Sequence, residues 1–253
     1  MENLPQLLVS ELGIDADQLR IQARIAHWTP DRFRSELAEP GWQSRFRSAV
    51  DAAEAEQVAS LTARVLATGP VALAAMSHAE LVALARDPRL AALAAGYDAA
   101  THGGRLVLGP TGVGKTVTCV AALRVEAGRA LRRRAAGQEE FSKLAWARAL
   151  ELPAARLGHS LGAGEARLVE QASTAHWLVL DDLGWESRRA GADDVVAEVV
   201  ARRYDAGLPT LATSGLTLEQ LTDRYSDAFV RRLVESGGKP GKVLSLWPRE
   251  ARH

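Results

Sequence analysis

The sequence predicts an α/β fold in which a five-stranded parallel sheet, flanked by helices, is preceded by a small all-helical domain. Three observations carry that expectation. Up to about residue 98 apolar side chains recur at steps of three and four, as in Leu81, Leu84 and Ala85 and then Leu90, Leu93 and Ala94, which is helical spacing. From His102 onward short apolar runs alternate with amphipathic stretches, the order that builds parallel strands joined by crossover helices. One apolar run leads into a glycine-rich turn with a lysine, and another ends in two adjacent carboxylates that a core does not tolerate without a cation nearby.

Within the first region, Thr29-Pro30, Pro40-Gly41 and Gly69-Pro70 are breaks that leave about four or five helices. Ser77 with Glu80 three residues on has the capping-box pattern of a helix start. Residues 1–98 are thus expected to form a helical, partner-binding domain, and residues 99–253 the α/β domain. The Ala/Leu stripes of the first domain read as bundle core, with a partner groove as the alternative. In the second domain the predicted strands are 105–108, 141–146, 177–180, 210–212 and 242–246, and the predicted helices 115–134, 164–174, 193–206, 217–223 and 226–236.

Composition narrows the class. The chain has 253 residues, 47% of them hydrophobic, and no net charge. Its first hundred residues are mildly acidic and the rest mildly basic, a contrast too small to assign nucleic acid as a partner. The single cysteine, Cys119, cannot pair within the chain, and it falls in an apolar run where a buried thiol is expected, so a reducing compartment is predicted. The histidines show no paired metal-ligand spacing, no apolar run reaches the ~20 residues needed to span a bilayer, and the N-terminus lacks a signal-peptide pattern. The expectation is a cytoplasmic protein without zinc or a membrane span.

The run Gly109-Pro110-Thr111-Gly112-Val113-Gly114-Lys115-Thr116 has the form G-x-x-x-x-G-K-T and follows the apolar residues Leu106, Val107 and Leu108. Glycines there let successive backbone N–H groups turn inward, and the helix that follows, with Val117 among its first residues, points its positive dipole end at the same spot. Such a cradle takes a triphosphate, with Lys115 against the β- and γ-phosphates and the Thr116 hydroxyl on Mg²⁺. ATP and Mg²⁺ are therefore the expected cofactors. Downstream, Trp177-Leu-Val-Leu-Asp181-Asp182 reads as the acidic strand of the same site: Asp181 would hold the metal and Asp182 would polarise the attacking water. The run 209–216 ends its apolar part in Thr213 and Ser214, either of which could position that water; the same residues also suit a simple turn.

With these elements in order, residues 103–247 resemble the AAA+ ATPases of the DnaC/IstB type, bacterial helicase loaders and transposition helper ATPases. The matching pieces are 109–116, 178–184, 209–216, Arg224-Tyr225 and Arg231-Arg232-Leu233. The resemblance implies an ATPase that assembles as a homo-oligomer, acts on a replicative helicase or a transposase, and contacts single-stranded DNA. It also implies that Arg232 is the arginine finger reaching a neighbouring subunit's γ-phosphate, with Arg224 as a further candidate. Gly215 stands where the family commonly has an asparagine, which points to slow hydrolysis or to a substitute contact from Thr213 or Ser214. The chain stops about seven residues after its last predicted strand, so no C-terminal helical lid is expected. Arg129 and Arg132 to Arg134 could touch DNA or simply answer a helix C-terminus. Two rival readings stay open: a nucleotide-gated adaptor with negligible turnover, kept by Gly215, and an ABC-type ATPase, suggested by the run 161–165 but disfavoured by its short interval to Asp181.

Overall fold

The computed structural model describes residues 4–98, 103–139, 143–160, 162, 164–186, 192–236, 239 and 241–247. It divides into two compact units, Met1–Thr62 with Ala127–Ser142, and Ala63–Glu126 with Lys143–His253. The division does not fall near residue 98, where the sequence changes character.

In the first unit α1 (Leu4–Leu12), α2 (Ala16–Ile25), α3 (Pro30–Glu36) and α4 (Trp42–Val65) up to Thr62 enclose an aromatic core. Asp15 caps α2 by accepting from Gln18 N at 2.8 Å, and Thr29 caps α3 by accepting from Arg32 N at 3.2 Å, with Pro30 in the first turn. The break expected at Thr29-Pro30 is therefore a helix start. Trp28 packs edge-on against Phe33 and Phe46, each at a ring-centroid distance of 5.0 Å, so aromatic rings rather than the Ala/Leu stripe centre this core. Arg132 is paired with Glu54 at 2.7 Å within this unit.

The second unit is built on the strands β1 (Arg105–Leu108), β2 (Leu144–Arg148), β3 (Trp177–Leu183), β4 (Thr210–Ser214) and β5 (Lys242–Ser245). Their order is β2-β3-β4-β1-β5 and every pairing is parallel, so all C-terminal ends share one edge. The predicted α/β sheet is borne out, with two shifts. β2 begins three residues later than expected; Phe141 and Ser142 lie outside the described residues. β3 and β4 both run further toward the site. The helices are α5 (Val71–Ala74), α6 (His78–Leu84), α7 (Pro88–Gly96), α8 (Lys115–Ala135) up to Glu126, α9 (Glu151–Leu157), α10 (Arg167–Thr174), α11 (Ala192–Asp205), α12 (Leu218–Tyr225) and α13 (Asp227–Glu235). Of these α9 is absent from the helices the sequence predicts; its Pro153 sits in the first turn, where no backbone donor is required. No helix among the described residues is long and apolar enough to cross a membrane.

Alternation along the strands sorts the core into two layers. Leu106, Leu108, Leu178 and Leu180 meet Val196, Val199, Phe229 and Leu233 on one face, while Val107, Val179 and Leu211 meet Leu81, Leu90 and Leu123 on the other. The second layer explains why residues 63–98 belong to this unit. Leu81, Leu90 and Tyr97 are completely or almost completely buried beside Trp177, whose Nε1 donates to Tyr97 Oη at 3.3 Å, and that hydroxyl donates to Gly103 O at 2.9 Å. Ser77 and Glu80 close the capping box that their spacing predicts at the start of α6.

Arg203 is a fully buried cation without a carboxylate partner among the described residues. Burial pulls its pKa down to about 9, so it stays protonated at neutral pH. Its guanidinium is held by Ala172 O at 2.9 Å and Ala175 O at 2.7 Å at the end of α10, by Pro209 O at 2.7 Å and by Thr210 Oγ1 at 2.8 Å. Replacing it strands several buried carbonyls around β4. Arg203→Leu is expected to lower unfolding free energy by about 3 kcal/mol, measured by urea denaturation; a loss under about 1 kcal/mol would show that the clamp contributes little.

Candidate nucleotide site

β1 delivers the chain to the glycine-rich loop, where Gly109 N donates to Ser214 O at 3.2 Å and ties the loop to the end of β4. Pro110, Thr111, Gly112 and Val113 make the turn. Gly114 closes it at φ 100°, a left-handed conformation that L side chains rarely adopt, with Leu84 O only 3.4 Å from where a Cβ would stand. Lys115 then opens α8, followed by Thr116 and Val117, so the predicted cradle residues form one loop and the first turn of one helix. The Lys115 ammonium is folded back on the loop, donating to Gly109 O at 2.7 Å and Pro110 O at 3.0 Å. Burial holds its pKa below the ordinary lysine value, opposed by the charges of Asp182 and Asp181.

The acidic pair sits at an irregularity. Pairing between β3 and β4 shifts between Leu180 and Leu183, so Asp181 and Asp182 occupy a bulge, and Asp182 has φ 57°. Aspartate tolerates that conformation better than most residues. Asp181 is buried and receives Thr116 Oγ1 at 3.1 Å and Thr213 Oγ1 at 2.5 Å. Its burial raises the carboxyl pKa, while the hydrogen bonds from Thr213 and Thr116 and the positive charge of Arg148 work the other way. Thr213 also accepts from Asp182 N at 3.0 Å, which fixes the bulge. Of the two hydroxyls expected at this strand end, Thr213 therefore meets the acids. Ser214 is spent on the backbone: it donates to Leu183 O at 2.7 Å and accepts from Leu216 N at 3.0 Å, wholly buried. This local use of the hydroxyl departs from the expected water contact.

A glycine-rich loop between β1 and α8, with the Thr116 hydroxyl and the Asp181 carboxylate converging from adjacent elements on the same sheet edge, decides the architecture. This is a P-loop NTPase fold. The chain is similar to solved structures of the DnaC helicase loader (20% identity, covering 63% of this chain and 86% of that one, TM-score 0.44) and of DnaI (22% identity, 68% and 94%, TM-score 0.42). It is also similar to AMPPCP-bound DnaA from Aquifex aeolicus (20% identity, 61% and 43%, TM-score 0.43). No protein-family model matches the sequence, and no curated protein does.

Around the P-loop NTPase core two residues escaped sequence reading. Arg148 ends β2 as the register partner of Asp181, with a buried Nε that finds no acceptor among the described residues. The predicted strand stopped at Trp146, which left this cation out of the site. Glu186 is buried behind the acidic bulge, where it accepts from Gly184 N at 2.8 Å and contacts the Tyr225 hydroxyl. Arg224 completes that anchor, lying 3.6 Å from the Glu186 carboxylate and donating to Glu186 O at 2.8 Å. Arg224, expected as a second finger candidate, is thus an internal pin for the loop after β3. Arg231 and Arg232 on α13 are exposed. Trp185 is 65% exposed, and its Nε1 lies 3.5 Å from where a Cβ on Gly215 would stand, an ordinary contact distance. Leu161 and Ala163 of the run that suggested an ABC signature lie outside the described residues; Glu165 is paired with Arg156.

Proposed function

We propose that this protein is an ATP-dependent helicase loader or DNA-remodelling helper ATPase that binds and hydrolyses Mg-ATP. The observation that carries the ATPase reading is the 3.1 Å approach of Thr116 Oγ1 to Asp181 beside the Lys115 loop. A hydroxyl and a carboxylate are hard oxygen donors that suit Mg²⁺, which keeps its remaining positions for water and phosphate oxygens. When bound, the metal neutralises charge on the β- and γ-phosphates. Lys115 would leave the loop carbonyls for the same phosphates, and the N–H groups of 112–116 would point at them. Asp182, adjacent to Asp181 and free of its hydroxyl partners, would accept the proton of a water attacking the γ-phosphorus in line, as the bond to the β–γ bridging oxygen breaks and ADP leaves.

The DNA-linked role, with a replicative helicase or transposase as partner and single-stranded DNA as ligand, rests on the resemblance of the motifs. Exposure of Arg232 supports a finger acting on a neighbouring subunit's nucleotide, because an exposed guanidinium is accessible to phosphate oxygens held by another chain. The alternative of a nucleotide-gated switch draws on Gly215, which offers no side chain to the water. Single-turnover hydrolysis with and without single-stranded DNA separates the two: stimulated turnover supports the loader, and tight ATP binding without turnover supports the switch. In the assembled state Arg232→Ala is expected to lower turnover by about a thousandfold with ATP affinity kept; unchanged turnover at high protein concentration would remove the trans-acting finger.

A further inference from the structure

The geometry points to a second binding site, for a small organic anion, in a cavity between α7 and the β1–β5 edge of the sheet. The cavity encloses about 300 Å³. Leu93, Val107 and Leu244 give it an apolar wall, and its charged lining consists of Arg89, Arg105 and Lys242, with no carboxylate among the described lining residues.

The three cations differ in how they are answered. Arg89 is neutralised by Asp87 at 2.7 Å and steadied by Ser245 O at 3.1 Å, so it is a fixed wall of the cavity. Arg105 is 9% exposed and makes no ion pair or hydrogen bond within the described residues, and its Nη1 is enclosed without an acceptor. A buried guanidinium in that state is costly, and native structures ordinarily supply a partner. Lys242 is the register partner of Arg105 across the β1–β5 pairing, and like charges placed opposite one another on a sheet face repel. A buried guanidinium with an unanswered Nη1 therefore sits beside an exposed ammonium over apolar surface. An anion entering between them would remove the repulsion and fill the acceptor that Arg105 lacks.

The ligand class follows from these features. A guanidinium fork matches the paired oxygens of a carboxylate or phosphate, and the wall of leucine and valine selects an apolar body. The volume lies at the low end of ligand cavities, which run from roughly 300 to 1,000 Å³, so the body is compact, of the order of one ring or a short alkyl chain. The site is separate from the phosphate cradle, because Arg105 begins β1 and the P-loop leaves its other end.

The test uses the full chain with its P-loop saturated by a non-hydrolysable Mg-ATP analogue, so that added phosphate groups cannot report on that loop. Phenyl phosphate and phenylacetate are titrated calorimetrically, with benzyl alcohol as the neutral control. Saturable one-to-one binding of either anion is expected, and the tighter of the two tells phosphate from carboxylate. Arg105→Gln is expected to weaken that binding by about tenfold or more, and Lys242→Gln by roughly threefold. Without ligand, Arg105→Gln is expected to raise the thermal midpoint by about 2–4 °C, since it removes an unanswered charge. Lys242→Gln, on the exposed edge strand, carries the binding test whatever the behaviour of the Arg105 variant. The site is refuted if neither anion saturates by about 10 mM, if benzyl alcohol binds as well as the anions, or if Lys242→Gln leaves their affinity unchanged.

Discussion

Lys115→Ala is expected to weaken Mg-ATP binding by at least about a hundredfold, or roughly 2.7 kcal/mol. The ammonium is nearly buried, with burial disfavouring its charge, and it is held at the mouth of the loop by two carbonyls rather than by a carboxylate. A group whose charge is disfavoured by burial and supported by Asp182 and Asp181 gains most when further negative charge arrives. A charge-assisted hydrogen bond in a partly dry site contributes about 1.5–3 kcal/mol, and the lysine can donate to two phosphates at once. Calorimetric titration of ATP into the two proteins, in the same Mg²⁺ buffer, measures the difference. A dissociation constant within about threefold of the unmodified protein would mean that the loop amides alone bind the nucleotide and that the lysine has a different task. The thermal midpoint without nucleotide serves as a control and should stay nearly constant, because alanine removes a poorly solvated charge along with its two bonds.

What could be read in advance depended on how local the governing physics is. The cradle was legible because a glycine-lysine-threonine pattern dictates its own backbone, and β1 and the start of α8 fall where the motif puts them. Asp181 and Asp182 were legible because two carboxylates at the end of an apolar strand admit few explanations. The partners of a helix face are a long-range matter. Periodicity shows that Leu81 and Leu90 lie on a buried face but not that the face meets Val107 and Leu123, so the packing of residues 63–98 against the sheet is not legible from spacing alone. Arg203 illustrates the same limit. It stands next to Arg202, near a helix C-terminus where cations are ordinary, yet Arg202 pairs with Glu198 at the surface while Arg203 is wholly buried and holds three backbone carbonyls. Nothing in the pair Arg202-Arg203 distinguishes them until α11 is placed against α10 and β4. Ser214 failed to take its expected place for a related reason: a hydroxyl at a strand end can serve a ligand or its own backbone, and the bulge after Leu180 supplied the carbonyl that claimed it.

The bulge also makes Asp182→Asn a clean probe of chemistry. Asparagine accepts the left-handed conformation that Asp182 adopts at φ 57°, and it keeps the backbone N–H that donates to Thr213 Oγ1. The substitution therefore removes a proton acceptor with little disturbance of Asp181, whose two hydroxyl donors come from Thr116 and Thr213. Single-turnover hydrolysis is expected to fall by about a hundredfold to a thousandfold, with ATP affinity changed by less than about threefold. Asp181→Asn should behave in the opposite sense at the binding step. Loss of the charged oxygens beside Thr116 would raise the Mg²⁺ concentration needed for half-saturation, and the rate at saturating metal would recover in part. If Asp182→Asn hydrolyses ATP at the unmodified rate, the water is activated elsewhere, and Arg148 and Thr213, two further polar groups beside Asp181, become the residues to vary next. If instead both variants lose metal dependence together, the two carboxylates act as one ligand pair, and the division of labour between them fails.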